Sequence, residues 1–365
     1  MPFESGSFTL SIFRMPEKLP ENYLELFASN NAGTLDSVKD EPISGWVSGR
    51  YLLETRIDEE TAISGGHLYL NLRTAERKIP SMLLKAICRR EELAYIQANK
   101  AISVPSKIRR EIKEEAVEKN LMKMPPTISA VSFVIDMASG LLYLGTGSTA
   151  QIDNFLGCFH KTTQLEPLQL NIEDMMERLF KGRESDLPTL TFSADAGKDE
   201  GPAPGRDFLT WLWYYSEKEG GSVKLDKYGE FEMMIEGPLT FAFSEEAKGS
   251  AETNLKKGNP LRSAEAKAAL NVGKRLKKAK ITIVRGEEIW TCSFDADKFV
   301  FGGVSLPDGE EMEPDSRFAE RINYLHIFQL VIQEYFRTFV AATKDSELQA
   351  LEKKIQKWAK ERDSY

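Results

Sequence analysis

The sequence predicts an α+β fold, with antiparallel sheets and packed helices in an elongated, multi-lobed subunit. Apolar and polar residues alternate in a hairpin at residues 128–144 and in a three-strand meander at residues 281–304, which is the pattern of antiparallel strands. Two helical segments follow the meander, at residues 315–342 and 346–362. The hairpin is followed by a helix and a further strand, and this order suggests an α+β domain.

Local patterns predict the elements of the first third of the chain. Alternation predicts strands at residues 7–14 and 67–72, and a short helix is expected at residues 19–28. A longer helix begins after Pro80, since proline is tolerated at a helix start. Trp46 lies between Gly and Val, and we expect it to be a packing anchor rather than part of a site.

Beyond the hairpin, the chain continues with mixed elements. We expect a helix at residues 149–160, a strand at residues 165–170, and strands at residues 228–235 and 239–243. The aromatic residues of 207–217 indicate a buried helix, because no cation is interleaved for base stacking. Four regions are predicted: an N-terminal α+β region at 1–183 with a basic helical segment at 73–123, a linker or insertion at 184–206, an α+β region at 207–310 with a basic helix at 262–280, and C-terminal helices at 311–365.

Composition restricts the class of protein. The chain has 365 residues, of which 41% are hydrophobic and 28% charged, enough for a sizeable core in two or three domains. Its three cysteines are scattered singly, so neither a disulfide framework nor a metal-ligand pair is expected, and a reducing, intracellular compartment follows. No apolar run approaches the length of a membrane span, and no N-terminal apolar segment predicts secretion. We therefore expect a cytoplasmic protein without a membrane partner.

A strongly basic segment at residues 256–285 stands out in this acidic chain. It holds ten lysines and arginines against one acid, Glu265, whereas the formal net charge of the whole chain is −8. Such a contrast favours a local site for a polyanion. With Ser263 as N-cap, a helix would place its cations on one face and apolar residues on the other. The expected phosphate contacts are Lys256, Lys257, Lys267, Lys274, Arg275, Lys277 and Lys278.

The predicted basic helix leads to one further expectation and leaves one alternative open. Its cations lie off the apolar arc, so reversing Lys267, Lys274 and Lys278 to glutamate should lower affinity for a polyanion and leave the fold intact. The alternative is an ordinary solvated amphipathic helix.

A second net-positive block covers residues 73–123, with thirteen lysines and arginines against seven acids. Its candidate contacts are Lys107, Arg109 and Arg110. Acids follow four residues after Lys107 and Arg110, so ion pairs along one helix should neutralise much of this charge. We therefore rank this block below the segment at 256–285.

The sequence contains no recognisable set of catalytic residues. Residues 145–150 fit the pattern G-x-G-x-x-A, but a tight antiparallel hairpin precedes them, and the dinucleotide fingerprint needs a parallel βαβ unit. Asp295 and Asp297 fall in a turn and are expected to accept backbone N–H groups. The three histidines lie on different elements, and we predict neither a metal nor a cofactor.

The order of several short motifs resembles a known family. They are Gly45-Trp46-Val47, Lys78-Ile79-Pro80-Ser81, Met124-Pro125, Phe133-Val134-Ile135-Asp136 with Gly140-Leu141-Leu142, and Lys256-Lys257. Together they are similar to the RdgC recombination-associated proteins of bacteria over roughly residues 7–306. The resemblance implies a nucleoid-associated protein that binds DNA without sequence preference. It also implies a closed, ring-shaped homodimer with a positively charged hole, and restraint of RecA-dependent recombination.

The chain departs from this family after Pro125. Pro126, Thr127 and Ile128 stand where the family more often carries an arginine and a phenylalanine. We nevertheless predict a protein of the nucleoid that binds double-stranded DNA through its phosphates, as a dimer, and that is not an enzyme. Two alternatives stay open. One is a nuclease whose carboxylates are distant in sequence, and the other is a scaffold whose basic helix meets an acidic protein partner.

Overall fold

The computed structural model describes residues 2–193, 201–243, 251–309, 312–362 and 364. Within these ranges the strands are β1 Phe8–Arg14, β2 Ile43–Ser48, β3 Ile63–Ser64, β4 His67–Glu76, β5 Thr127–Asp136, β6 Leu141–Leu144, β7 Leu168–Gln169, β8 Ser222–Leu225, β9 Gly229–Ala242, β10 Glu252–Leu255, β11 Arg275–Arg285, β12 Glu288–Asp295 and β13 Val300–Ser305. The α-helices are α1 Tyr23–Ser29, α2 Glu59–Ala62, α3 Ser81–Asn99, α4 Ser106–Leu121, α5 Thr149–Thr163, α6 Ile172–Phe180, α7 Pro204–Lys218, α8 Ala264–Asn271, α9 Pro314–Ala342 and α10 Asp345–Glu361.

The strands form one sheet in the order β10-β9-β11-β12-β13-β1-β6-β5-β4-β2, with β3 paired to β4, β7 to β1 and β8 to β9. The pairs are antiparallel, so the predicted α+β class is confirmed. Strand β1 joins the two halves of the sheet. Phe8 lies opposite Val304 of β13, whereas Ser11 lies opposite Leu144 of β6.

The core consists of two apolar clusters. Successive side chains of β1 point to opposite faces of the sheet and so enter different clusters. Ile12 belongs to the larger cluster and Phe13 to the smaller one. The larger cluster also contains the apolar side chains of α7, α9 and α10. The smaller one surrounds Trp46, whose Nε1 donates to Thr162 Oγ1 at 2.8 Å. The prediction that Trp46 is a packing anchor is confirmed.

The predicted hairpin, meander and C-terminal helices are all present. The aromatic helix is also buried as expected, since Trp211 and Trp213 of α7 are almost fully inaccessible. Other bounds differ: β7 has only two residues, and the two strands expected on either side of Pro238 form the single strand β9. The pairing of β9 with β11 shifts register there, between Ala279 and Lys280, because Pro238 has no N–H to donate.

The basic helix predicted at residues 262–280 is wrong in its second half. Helix α8 ends at Asn271, Gly273 adopts a φ of +90°, and the chain continues as strand β11. Left-handed backbone of this kind suits glycine, which has no Cβ to clash. The alternation that begins at Leu276 places β11 between β9 and β12, and strand pairing on both edges outweighs the helix propensity of the lysines and alanines.

The predicted linker at residues 184–206 contributes to the core in its described part. Leu190 and Phe192 are buried in the larger cluster, and the Leu190 N–H donates to Asp207 Oδ2 at 3.2 Å. Residues 194–200 lie outside the described residues, and the predicted domain boundaries stay a prediction. Among the described helices, none has both the length and the apolar character needed to cross a bilayer.

Candidate nucleic-acid interface

The basic segment at 256–285 folds as an exposed turn, helix α8 and strand β11. Ser263 caps α8 as predicted, because its Oγ accepts the N–H of Ala266 at 3.1 Å. The glycine turn after α8 then sends the following cations into the sheet. Their surroundings are therefore those of a central strand and not those of a helix face.

Two of the predicted phosphate contacts are buried. Lys274 donates from Nζ to Thr253 Oγ1 at 2.8 Å, and this nitrogen also lies 5.0 Å from the centre of the Phe243 ring. Arg275 forms an ion pair with Asp207 at 3.1 Å, with both side chains only 1% exposed. A buried charge must be paired to be tolerated. The expectation that Lys274 lies on an exposed face, where reversal leaves the fold intact, is therefore wrong.

Two further cations of β11 pair with acids from other elements. Lys277 binds Glu252 of β10, and Lys278 binds Asp295 of β12 at 2.7 Å. The hydrogen bond to Glu252 raises the pKa of Lys277, and the same bond lowers the pKa of the Glu252 carboxyl. Much of the positive charge that the sequence concentrates here is thus neutralised within the fold.

The remaining predicted contacts of this segment differ in exposure. Lys267 on α8 is half-buried, and its Nζ donates to the backbone oxygen of Arg362 at 2.9 Å. Lys256 and Lys257 follow the end of β10 and are exposed. These two lysines are the members of the predicted set that stay most accessible to a phosphate.

Helices α3 and α4 form a hairpin that extends from the sheet. No residue of α3 is buried, and Ala116 is the only buried residue of α4. Several large apolar side chains in or beside the hairpin are nevertheless exposed, including Met82 at 75%, Leu93 at 45% and Ile102, which is fully exposed. This exposure was not predicted from the sequence. Apolar residues scattered through a highly charged block were the available signal.

The three predicted contacts of the second basic block lie on α4. Arg110 pairs with Glu114 at 2.9 Å, so the predicted neutralisation along this helix is confirmed at that position. Arg109 pairs across the hairpin with Glu92 of α3 at 3.3 Å. Lys107 is exposed and forms no ion pair within the part of the chain that the structure describes, so the pairing predicted for it with Glu111 is wrong.

An open cleft of about 770 Å³ lies where β1 meets β13, and Lys278 and Lys298 line it together with residues 145–148. These residues connect β6 to α5, and β6 pairs antiparallel with both β5 and β1. The parallel βαβ unit of a dinucleotide site is therefore absent from this described region, as predicted.

The described residues show no arrangement typical of metal-assisted catalysis. Asp295 Oδ1 accepts the N–H groups of Asp297 and Lys298, both at 3.2 Å, as expected for an acid in a turn. No group of three or more His, Cys, Asp or Glu side chains within the described ranges could hold a metal ion.

The fold and these surfaces define an α+β protein with a projecting, net-positive helical hairpin. Residues 9–179 match the model of a family described as "Putative exonuclease, RdgC", and this match supports membership of the RdgC family. The matched residues include the α3–α4 hairpin but not the basic segment at 256–285. No curated protein matches the chain.

Proposed function

We propose that the chain is a non-sequence-specific, double-stranded DNA-binding protein of the nucleoid. It acts as a ring-shaped homodimer and restrains RecA-dependent recombination. The observation that carries the DNA-binding part is the exposed α3–α4 hairpin, with its positive charge. The nucleoid location and the restraint of RecA rest on the resemblance to the RdgC family.

The hairpin supports phosphate binding through charge and access. Residues 81–121, which span α3 and α4, hold nine lysines and arginines against six acids, an excess of three positive charges in a chain of net charge −8. Because Ala116 is the only buried residue of α3 and α4, this excess lies where a phosphate can reach it. Lys107 is the clearest candidate, since it is not engaged by a carboxylate of the described chain. The cations of β11 are engaged, so the hairpin is now the better supported of the two predicted surfaces.

The same hairpin supports a dimer. Exposed apolar side chains such as Met82 and Ile102 leave an apolar surface that a partner would cover. A second copy is the simplest partner, because a two-fold axis lets one surface bind its own copy. If the subunits also meet at a second contact, the pair closes into a ring and the basic residues can face the hole.

A nuclease is the second candidate, because the description of the matching family names an exonuclease. For this activity, carboxylates that are distant in sequence would have to bind a catalytic metal ion together. Incubating end-labelled duplex with the protein and Mg²⁺, with EDTA as the control, separates the two candidates. Metal-dependent shortening of the label would favour the nuclease.

The DNA-binding proposal predicts salt-sensitive affinity. Counterion release makes log K fall with log[salt] by about 0.9 for each phosphate neutralised. We expect Lys107→Gln to reduce this slope by about 1. The same change at Lys224, an exposed lysine of β8, should leave the slope unchanged. Fluorescence anisotropy with two unrelated duplexes between 50 and 200 mM salt tests this, and a flat salt response or a strong preference for one duplex would refute it.

A further inference from the structure

Three arginines from three different elements converge beside the larger core cluster. Arg14 is the last residue of β1, Arg178 lies near the end of α6, and Arg337 lies on α9. Helices α6 and α9 are in contact, because the rings of Phe180 and Phe336 pack edge to face with centres 6.2 Å apart. Arg14 and Arg178 both lie beside Asp174, and the charge of Arg337 acts on Arg178, so the three guanidinium groups share one region of the surface.

The carboxylates near these arginines do not balance their charge. Asp174, whose side chain is 5% exposed, accepts from Arg14 Nε at 3.1 Å and NH2 at 2.9 Å through the same oxygen. Its other oxygen lies 3.8 Å from Arg178 Nε. Arg337 has a separate contact with Glu334 on its own helix, at 3.7 Å. Three cations thus share two carboxylates, and Asp174 alone serves two of them.

Arg178 is the least satisfied of the three. Its Nε and one terminal nitrogen are buried and have no hydrogen-bond partner in the described chain. Burial lowers the pKa of Arg178, and the positive charges of Arg14 and Arg337 lower it further, against the opposing effect of Asp174. Buried N–H groups of a charged side chain normally find an acceptor. The nearest carboxylate oxygen, Asp174 Oδ2, is itself without a hydrogen bond in the described chain and lies 3.8 Å from Arg178 Nε, so these N–H groups lack an acceptor at hydrogen-bonding distance.

We propose that Arg178, with Arg14 and Arg337, forms a binding site for a phosphate group. Guanidinium groups donate two parallel hydrogen bonds to phosphate oxygens, and a tetrahedral anion accepts them from several directions at once. The site is partly open, because the side chains of Arg14, Arg178 and Arg337 are 29%, 35% and 47% exposed. The two unpaired nitrogens of Arg178 are buried, so the phosphate reaches them only when the Arg178 side chain turns outward. The phosphate comes either from the DNA backbone, which rests on the proposed function, or from a free phosphate compound, which does not.

The first test uses inorganic phosphate on the full chain. We expect phosphate to raise the Tm more than sodium chloride of equal ionic strength does. Arg178→Gln and Arg337→Gln should each weaken phosphate binding at least tenfold, and Arg178→Lys, which keeps the charge but not the paired donors, should weaken it less. Arg183→Gln is the matched control, because Arg183 is 84% exposed and lies close to α6 in sequence. Equal responses from Arg183→Gln and Arg337→Gln would overturn the site, and this comparison holds even if Arg178→Gln fails to fold.

The second test separates the two phosphate sources. If the ligand is DNA, Arg337→Gln reduces the salt slope of duplex binding by about 1, as expected for one lost phosphate contact. If the slope is unchanged while phosphate binding is lost, the ligand is a free phosphate compound. A wild-type protein that binds phosphate but no duplex would refute the proposed function and retain the site. A wild-type protein that binds no phosphate and whose duplex slope is insensitive to Arg337→Gln would refute the site alone.

Discussion

Individual charged residues of this chain have different roles although they look alike in sequence. Lys257 and Lys274 were both expected to contact phosphate. Lys257 is exposed beyond β10, whereas Lys274 is buried against Thr253 and the ring of Phe243. A cation in the second environment contributes to stability rather than to binding, because its hydrogen bond and its contact with the ring are made inside the protein.

This difference predicts unequal effects of charge reversal on stability. Lys274→Glu should lower the free energy of unfolding by about 3 kcal/mol, since it places a carboxylate in a buried position built for a cation. Lys257→Glu changes the net charge equally but should stay within about 0.5 kcal/mol of the wild type. Urea unfolding followed by tryptophan fluorescence measures both. Similar midpoints for the two variants would show that Lys274 is not held by its buried contacts.

Two histidines predict how stability depends on pH. Burial lowers the pKa of His67 and of His326 below the ordinary value of 6.5, although the Asp136 carboxylate opposes the shift at both and Lys227 adds to it at His326. The unfolded chain therefore binds protons at a higher pH than the folded chain does. The full stability is present above pH 6.5 and is progressively lost as the pH falls below it. Urea unfolding midpoints at pH 7.5 and 5.5 measure this loss of stability. The loss should be smaller in His326→Gln than in the wild type. An equal loss in the variant would show that other groups cause it.

At the scale of elements, the α3–α4 hairpin differs from every other described helix pair in how little it buries. Its charged residues and its exposed apolar residues occur together, as in a surface that meets both a protein and a polyanion. The long helices α9 and α10, by contrast, bury apolar side chains such as Phe336 and Ile355 in the core. The hairpin is therefore the element that can bind a partner without disturbing the fold.

We expect a charge on the exposed apolar surface of the hairpin to dissociate the proposed dimer. Ile102→Asp places a carboxylate in an interface where it would be desolvated without a partner, so affinity between subunits should fall at least tenfold. Val272→Asp is the control, since Val272 is 55% exposed and lies after α8. Size-exclusion chromatography with light scattering, at micromolar protein concentration, measures the molar mass of each variant in solution. A dimer that survives Ile102→Asp but not Val272→Asp would locate the interface elsewhere.

At the scale of the whole molecule, the distribution of charge favours encirclement of DNA. A subunit of net charge −8 repels a polyanion over most of its surface. Two subunits that face each other across a hole would concentrate their positive surfaces inside and leave the acidic surface outside.

A closed ring has a consequence for how the protein loads onto DNA. Circular duplex has no end to thread, so a ring must open to admit it, whereas linear duplex can enter a closed ring. Crosslinking the subunits should therefore slow loading on circles and leave loading on linear fragments unaffected. Equal loading rates on both substrates, or a monomer at micromolar concentration, would contradict the ring.

The sequence by itself determined the elements that depend on neighbours in the chain. The β5–β6 hairpin, the meander of β11 to β13 and the Ser263 cap were predictable because alternation and capping act over a few residues. The order of short motifs was also enough to show a resemblance to the RdgC family, and the match over residues 9–179 supports it.

Only the tertiary structure decided which charges are accessible. The segment from Arg275 to Lys280 is a strand because β9 and β12 pair with both of its edges, and no local pattern records those partners. The acids that neutralise it, Glu252 and Asp295, come from two other strands of the sheet, β10 and β12. The net charge counted along a segment therefore overestimates the positive charge available for binding wherever the fold brings opposite charges together. The α3–α4 hairpin keeps its positive excess because few other elements contact it.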